Sequence, residues 1–170
     1  MRKIKLYIAN SLDNYIAREN GDVDWLFIDG EYGMAEFYAS VDTVLMGRKT
    51  IEKGNELGQT HYKGMKNYVF SKTIKESEID ELEYISEDLE KFASKLKRKK
   101  GKDIWLVGGG DLIRQFLDKN LVDEIFLFVH PILLGKGLPL FLPFENQIDL
   151  KLIDTEKFEN GVVKLAYAKK

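Results

Sequence analysis

Two short segments carry the residue types needed to hold an anion. In Thr43-Val44-Leu45-Met46-Gly47-Arg48-Lys49-Thr50, a continuous apolar run ends at a glycine and is followed by two cations and a hydroxyl. A glycine there lets backbone amides approach a ligand closely. A helix N-terminus next to Arg48 and Lys49 favours a phosphate, and Thr50 adds a hydroxyl donor. Taken alone, the same segment is equally an ordinary strand-to-helix turn. The second segment, Val107-Gly108-Gly109-Gly110-Asp111, again follows an apolar run. Three glycines cost backbone entropy, so they point to close approach by a pyrophosphate or by a neighbouring segment. The spacing is not that of a Rossmann fingerprint, and no acid suited to a ribose follows at about 20 residues.

The elements that must position these turns follow from periodicity. Ile4 to Ala9, Thr43 to Met46, Asn67 to Phe70, Leu82 to Ile85, Ile104 to Val107 and Val122 to Val129 read as strands. Lys151 to Phe158 and Val162 to Ala168 form a hairpin around Asn160-Gly161. Met34 to Ser40 is a short helix. Ser86 is the expected N-cap of an amphipathic helix reaching Lys100, and Leu112, Ile113, Phe116 and Leu117 keep helical spacing after the glycines. Ser11 to Asp24 is left as a long polar loop, a length that favours a functional role. Alternating strands and helices predict an α/β protein with a mostly parallel sheet covered on both faces. Parallel sheets bind ligands at the carboxyl ends of their strands, where both glycine turns fall. Ser71-Lys72-Thr73 ends a third strand on the same edge. An elongated ligand with an extra phosphate, as on NADPH rather than NADH, would find partners in Arg48 and Lys72.

Composition narrows the partners. A chain of 170 residues with 44% hydrophobic residues is read as a single domain spanning 1–170. No apolar run approaches the roughly 18 residues of a membrane span, and the N-terminus enters a strand without an export signal, so a soluble cytoplasmic protein without a membrane partner is expected. The absence of cysteine excludes disulfides, thiol nucleophiles and cysteine-bound zinc, and no metal site is expected. A net charge of -2 supplies no field for nucleic acid. The basic run Lys95 to Lys102 reads as a solvated helix end complementing the dipole. A small-molecule substrate remains.

Ile8-Ala9-Asn10-Ser11-Leu12-Asp13 with Tyr15-Ile16-Ala17, Asp24-Trp25, Val44 to Thr50, Val69 to Thr73 and Trp105 to Gly110 occur in the order and spacing of the dihydrofolate reductase-like superfamily, which the chain resembles over nearly its whole length. Leu121-Val122-Asp123-Glu124 and His130 to Phe141 are similar to the branch containing the reductase domain of bifunctional riboflavin-biosynthesis deaminase-reductases. A cysteine-free chain cannot contain the zinc deaminase half of those enzymes. The resemblance implies a three-layer α/β/α dihydrofolate reductase-like fold, with a mostly parallel central sheet and a C-terminal antiparallel hairpin. It also implies NADPH as cofactor and hydride transfer to a pterin-like or aminopyrimidine substrate.

By the same resemblance, Ala9 and Ile16 contact the nicotinamide, and Asn10 and Asp13 line the loop closing over the substrate. Gly47, Arg48, Lys49 and Thr50 hold phosphates, and Ser71 and Lys72 flank the adenosine 2'-phosphate. Val107, Gly108, Gly109 and Gly110 face the diphosphate and nicotinamide ribose. Two positions depart from the pattern. Asp111 stands where some dihydrofolate reductases place a basic residue. The pterin-binding acid of true dihydrofolate reductases falls near Gly33, with Asp29, Glu31 and Glu36 read as surface carboxylates. Trp25 and Phe37 are expected to wall the substrate pocket. Asp24 is the candidate proton donor, with a bound water as the competing source. Lys136 is either a substrate-phosphate contact or part of a tight turn with Gly135 and Gly137. His130 is read as structural and His61 as a residue of an exposed loop. A non-catalytic NADP-binding module and a dihydrofolate reductase with an atypical acid stay open as alternatives. Related domains associate, so a homodimer through Leu138 to Phe144 is expected.

Overall fold

Runs such as Val44-Leu45-Met46 are buried on both sides, which is why they form the interior of a sheet. The computed structural model describes residues 1–74 and 76–170. In chain order the elements are β1 (Ile4–Ser11), β2 (Tyr15–Ala17), α1 (Met34–Ser40), β3 (Val41–Gly47), α2 (Arg48–Glu56), β4 (Lys66–Phe70) and β5 (Leu82–Ile85). They continue as α3 (Leu89–Arg98), β6 (Asp103–Gly108), α4 (Gly110–Asp118), β7 (Glu124–His130), β8 (Leu138–Pro139), β9 (Leu150–Lys157) and β10 (Val163–Lys169). Eight strands form one sheet in the order β5-β4-β3-β6-β1-β7-β10-β9. The strands from β5 to β7 are parallel, while β10 runs antiparallel to both β7 and β9.

Alternation of side chains divides the core into two layers. Ile4, Leu6, Leu45 and Leu106 face Phe92 and Leu96 of α3 and Ile113 and Phe116 of α4. Tyr7, Val44, Met46 and Trp105 face the other way, toward Phe37 of α1 and Ile51 of α2. The result is the expected three-layer α/β/α arrangement. On the α1 side, Phe37 stacks on Tyr7 at 4.0 Å and meets Trp105 edge-on at 5.4 Å. The Trp105 indole N–H donates to the Tyr7 carbonyl at 3.1 Å, so this aromatic layer keeps its buried donor paired.

Several boundaries differ from the sequence expectation. The polar loop Ser11 to Asp24 contains β2, whose antiparallel partner β8 was too short to read. The N-cap of α3 is Asp88, not Ser86: its carboxylate accepts from the Lys91 amide at 2.9 Å, which starts the helix two residues later. Leu138 to Phe144 is not one exposed apolar patch, because Leu140 is completely buried against the main core. His61 is tucked in, with Nε2 3.2 Å from a Glu81 carboxylate oxygen. Lys95, Lys97 and Arg98 occupy the last turn of α3, as a dipole-complementing end requires. No helix among the described residues is long and apolar enough to cross a membrane.

Candidate functional site

The neighbouring strands β3 and β6 lead into helices on opposite faces of the sheet, α2 on one and α4 on the other. Such a divergence opens a crevice at the carboxyl ends of the strands. Gly47 and Gly109 face each other there: a Cβ built on Gly47 would lie 3.8 Å from the Gly108 carbonyl oxygen and 3.9 Å from the Gly109 nitrogen. One on Gly109 would lie 3.5 Å from Thr50 Oγ1.

The three consecutive glycines have different reasons. Gly108 has φ +121°, which L-residues with side chains rarely adopt. Gly110 is crowded, since a Cβ would sit 2.8 Å from the Pro139 carbonyl oxygen. Gly109 at φ -76° and Gly47 at φ -85° have ordinary backbone conformations and meet only ordinary contacts. The fold therefore demands glycine at 108 and 110 but not at 47 and 109. What glycine provides at 47 and 109 is empty space beside the first amides of α2 and α4.

Those amides are open. The first N–H groups of any helix lack intrahelical partners and carry the positive end of its dipole. In α3 they are capped by Asp88, and at α1 the Glu31 carboxylate accepts from the Gly33 amide at 2.9 Å and from the Ala35 amide. The N-caps of α2 and α4 are Gly47 and Gly109, which have no side chain to cap with. Arg48 and Lys49 are exposed in the first turn of α2, Arg48 paired with Glu52 at 2.6 Å. Asp111 adds a negative charge to α4, but Arg114 at 2.9 Å and Gln115 at 2.8 Å hold its carboxylate.

Beside the crevice, on the α4 face, lies a cavity of about 510 Å³ lined by Ser71, Lys72, Ile85, Leu112, Arg114 and Gln115 among others. Ser71 is buried and its Oγ accepts from the Ile74 amide at 3.0 Å, shaping the turn that presents Lys72. Sequence patterns single out Ser71 and Lys72 but miss Ile85, Leu112 and Gln115. Two of these look like core residues, and the third faces the cavity only because of the rotational setting of α4. Unforced glycines, uncapped helix ends, cations and a half-apolar cavity together fit a phosphate-bearing dinucleotide.

The far side of the crevice is built by β1 and β7. Ile8 closes against Gly108, its Cδ1 3.8 Å from where a Gly108 Cβ would be, so Ala9 and Asn10 follow directly on the crevice edge. Ile16 packs on the α4-side core and Val107 on the α1-side core. Asn10 is buried; its Nδ2 donates to the Ser11 carbonyl at 2.8 Å, while its Oδ1 has no partner among the described residues. Asp13 is a brace. Its carboxylate accepts from Ser11 Oγ at 2.6 Å and from the amides of Leu134 and Gly135 at 3.1 and 2.7 Å, and the Ser11 hydroxyl leads in holding it below the ordinary carboxylate range.

The other substrate-side candidates separate. Trp25 is buried and packs edge-on against His130, whereas Phe37 belongs to the aromatic core under Tyr7. Asp24 is largely exposed and forms a two-pronged ion pair with Arg18 at 2.6 and 3.1 Å. The Arg18 hydrogen bond lowers its pKa, which favours the carboxylate, the wrong state for a proton donor. Lys136 is 79% exposed and paired with Glu19 at 3.1 Å. Asp29 lies 3.4 Å from the Tyr32 hydroxyl, and Glu31 is committed to α1, so both have local roles. Among the described residues no group of histidines and carboxylates has the arrangement of a metal site.

Residues 2–164 match the profile of the RibD C-terminal domain family. The chain is 39% identical to the uncharacterized protein YyaP of Bacillus subtilis (strain 168), over 98% of this chain and 94% of that one. A solved structure from Shewanella sp. PV-4, named provisionally as a riboflavin biosynthesis protein, is 28% identical with a TM-score of 0.89 and covers 99% of both chains. A Thermotoga maritima diaminohydroxyphosphoribosylaminopyrimidine deaminase/5-amino-6-(5-phosphoribosylamino)uracil reductase has the same fold. Its TM-score is 0.77 at 19% identity, over 99% of this chain and 57% of that one.

Proposed function

The chain belongs to the RibD C-terminal domain family, and from that premise we propose that it is an NADPH-dependent reductase of a small aminopyrimidine or pterin-like compound. One observation carries the proposal: Gly47 and Gly109 keep space free between two uncapped helix N-termini at the point where the crossovers diverge. Bound NADPH would supply the hydride. The chain's own residues bind and orient. The amides of α2 and α4 receive the diphosphate, and Arg48, Lys49 and Lys72 pair with the extra phosphate. The cavity at Ile85, Leu112 and Gln115 takes the adenosine. The ends of β1 and β7, with Ala9, Asn10 and Ile16, then surround the reactive ring and exclude water, with Trp25 on the substrate side.

The test is a fluorescence titration with NADPH and NADH. NADPH is expected to bind more tightly, and Arg48→Ala to reduce that preference by about tenfold, the worth of one charge-assisted hydrogen bond. Equal affinity for the two cofactors in the wild-type protein would contradict the phosphate assignment. A binding module without turnover is the second reading, favoured by the ion-paired state of Asp24. NADPH binding without oxidation in the presence of the aminopyrimidine intermediates or dihydrofolate would select it.

A further inference from the structure

The end of β7 holds two buried polar atoms that the reductase reading has not used. His130 is 2% exposed, and its Nδ1 lies 3.0 Å from the Phe128 carbonyl oxygen. A carbonyl only accepts, so Nδ1 carries the proton and Nε2 presents a lone pair, which has no partner among the described residues. Trp25 is 5% exposed and stands perpendicular to the imidazole, ring centroids 5.3 Å apart. Its indole Nε1 can only donate, and it too has no partner among the described residues. A buried donor and a buried acceptor thus lie on two adjacent rings, and a group that both accepts and donates would satisfy them together.

The pair sits where a substrate beside the crevice would lie. His130 ends β7 and is level with Ser11 at the end of β1, which is itself next to β6 and the glycine turn. Two strand spacings, roughly 10 Å, separate it laterally from β6, and it stands three residues, roughly 10 Å, beyond the level of Gly108. Side-chain alternation from Phe128 puts it on the α1 face, opposite α4 and the adenosine cavity. Phe27 covers the imidazole with its ring centroid at 5.2 Å, and the adjoining Ile28 is almost fully exposed, so a partly exposed ring and its exposed neighbour lie on this side of the imidazole.

We propose that Trp25 and His130 form a specificity-determining pair that reads a ring –CO–NH– edge, the indole donating to the carbonyl oxygen and the imidazole Nε2 accepting from the ring N–H. This rests on the reductase assignment of the adjoining crevice. The pair recognises a neutral lactam, as in an oxidised pyrimidine ring, and no proton transfer is assigned to it. The histidine thereby acquires a role besides packing, one that its place before Pro131 does not announce.

Protein labelled with 15N-histidine contains only two imidazoles, His61 and His130, so each is resolved by NMR. The free protein is expected to show His130 as the Nδ1–H tautomer. With NADPH present, addition of 5,6-diaminouracil is expected to shift the His130 Nε2 signal toward that of a hydrogen-bond acceptor and to leave His61 unmoved. His130→Phe and Trp25→Phe keep an aromatic ring while removing the acceptor and the donor of the edge respectively, and His130→Phe also removes the Nδ1–H that pairs with the Phe128 carbonyl. Each is expected to weaken 5,6-diaminouracil binding by about tenfold, with NADPH affinity changed less than about twofold. An Nε2–H tautomer, no binding of 5,6-diaminouracil to the NADPH-loaded wild type, or undiminished binding by both variants overturns the proposal. Failure of NADPH to bind the wild type overturns the reductase assignment instead, and the tautomer still judges the pair.

Discussion

The helices of this protein begin in two different ways. At α1 and α3 the chain satisfies its own amides, with the carboxylates of Glu31 and Asp88. At α2 and α4 the N-caps are Gly47 and Gly109, and no side chain occupies the position. All four bury apolar residues on the same sheet, so the difference is not one of packing. A closed helix end serves stability; in the proposed function the open ends at Gly47 and Gly109, the first with Arg48 and Lys49 beside it, serve a ligand. The contrast teaches that the proposed anion site is defined as much by the caps that are withheld as by the cations that are supplied.

The contrast can be attacked from both sides. The largest effect is expected from Gly47→Ala, whose Cβ would enter the space between the two turns. Filling a packed ligand site costs about 1–3 kcal/mol, a roughly ten- to hundredfold loss of NADPH affinity by titration, with thermal unfolding little changed. Gly110→Ala should do the reverse. Its Cβ collides with the Pro139 carbonyl, so denaturant unfolding should show a loss of about 1–3 kcal/mol. Glu31→Ala removes the carboxylate that caps α1 and should cost about 1 kcal/mol of stability without altering NADPH affinity. If it weakened cofactor binding, closed and open ends would not be functionally distinct.

The smallest effect concerns pH. Burial pushes the His130 imidazole below its ordinary value of 6.5, only partly offset by the Phe128 carbonyl. The unfolded chain then binds the proton more readily than the folded one. The histidine's contribution to stability is therefore complete above 6.5 and is lost as pH falls through the folded value. The wild-type unfolding temperature should drop between about pH 7 and pH 5 more steeply than that of His130→Phe. Parallel profiles would remove the buried neutral imidazole from the account.

Much of this was legible in the sequence because it is written locally. Apolar runs gave the central strands, and both glycine turns were visible as breaks at strand ends. The hairpin around Asn160-Gly161 followed from turn chemistry. The rest depends on contacts between distant segments. Strand β2 exists because Gly137 lets β8 approach the Ala17 carbonyl, a pairing over 120 residues that no local pattern announces. The triple glycine looked like one signal, but Gly110 answers to Pro139 and only Gly109 to the crevice. Asp24 looked like an available acid because its nearness to Arg18 is a property of the folded loop. The orphaned nitrogens of Trp25 and His130 were invisible for the same reason: neighbours, not residue types, decide which polar atoms lack partners.

The central claim is that glycine at 109 is kept for a ligand and not for the fold. Gly109→Ala tests it directly, because its backbone angle accepts alanine and its nearest new contact is an ordinary 3.5 Å. Thermal unfolding and NADPH titration on the same preparation should show an essentially unchanged unfolding temperature and a roughly ten- to hundredfold weaker affinity. A folded Gly109→Ala protein that binds NADPH as tightly as the wild type would contradict the account.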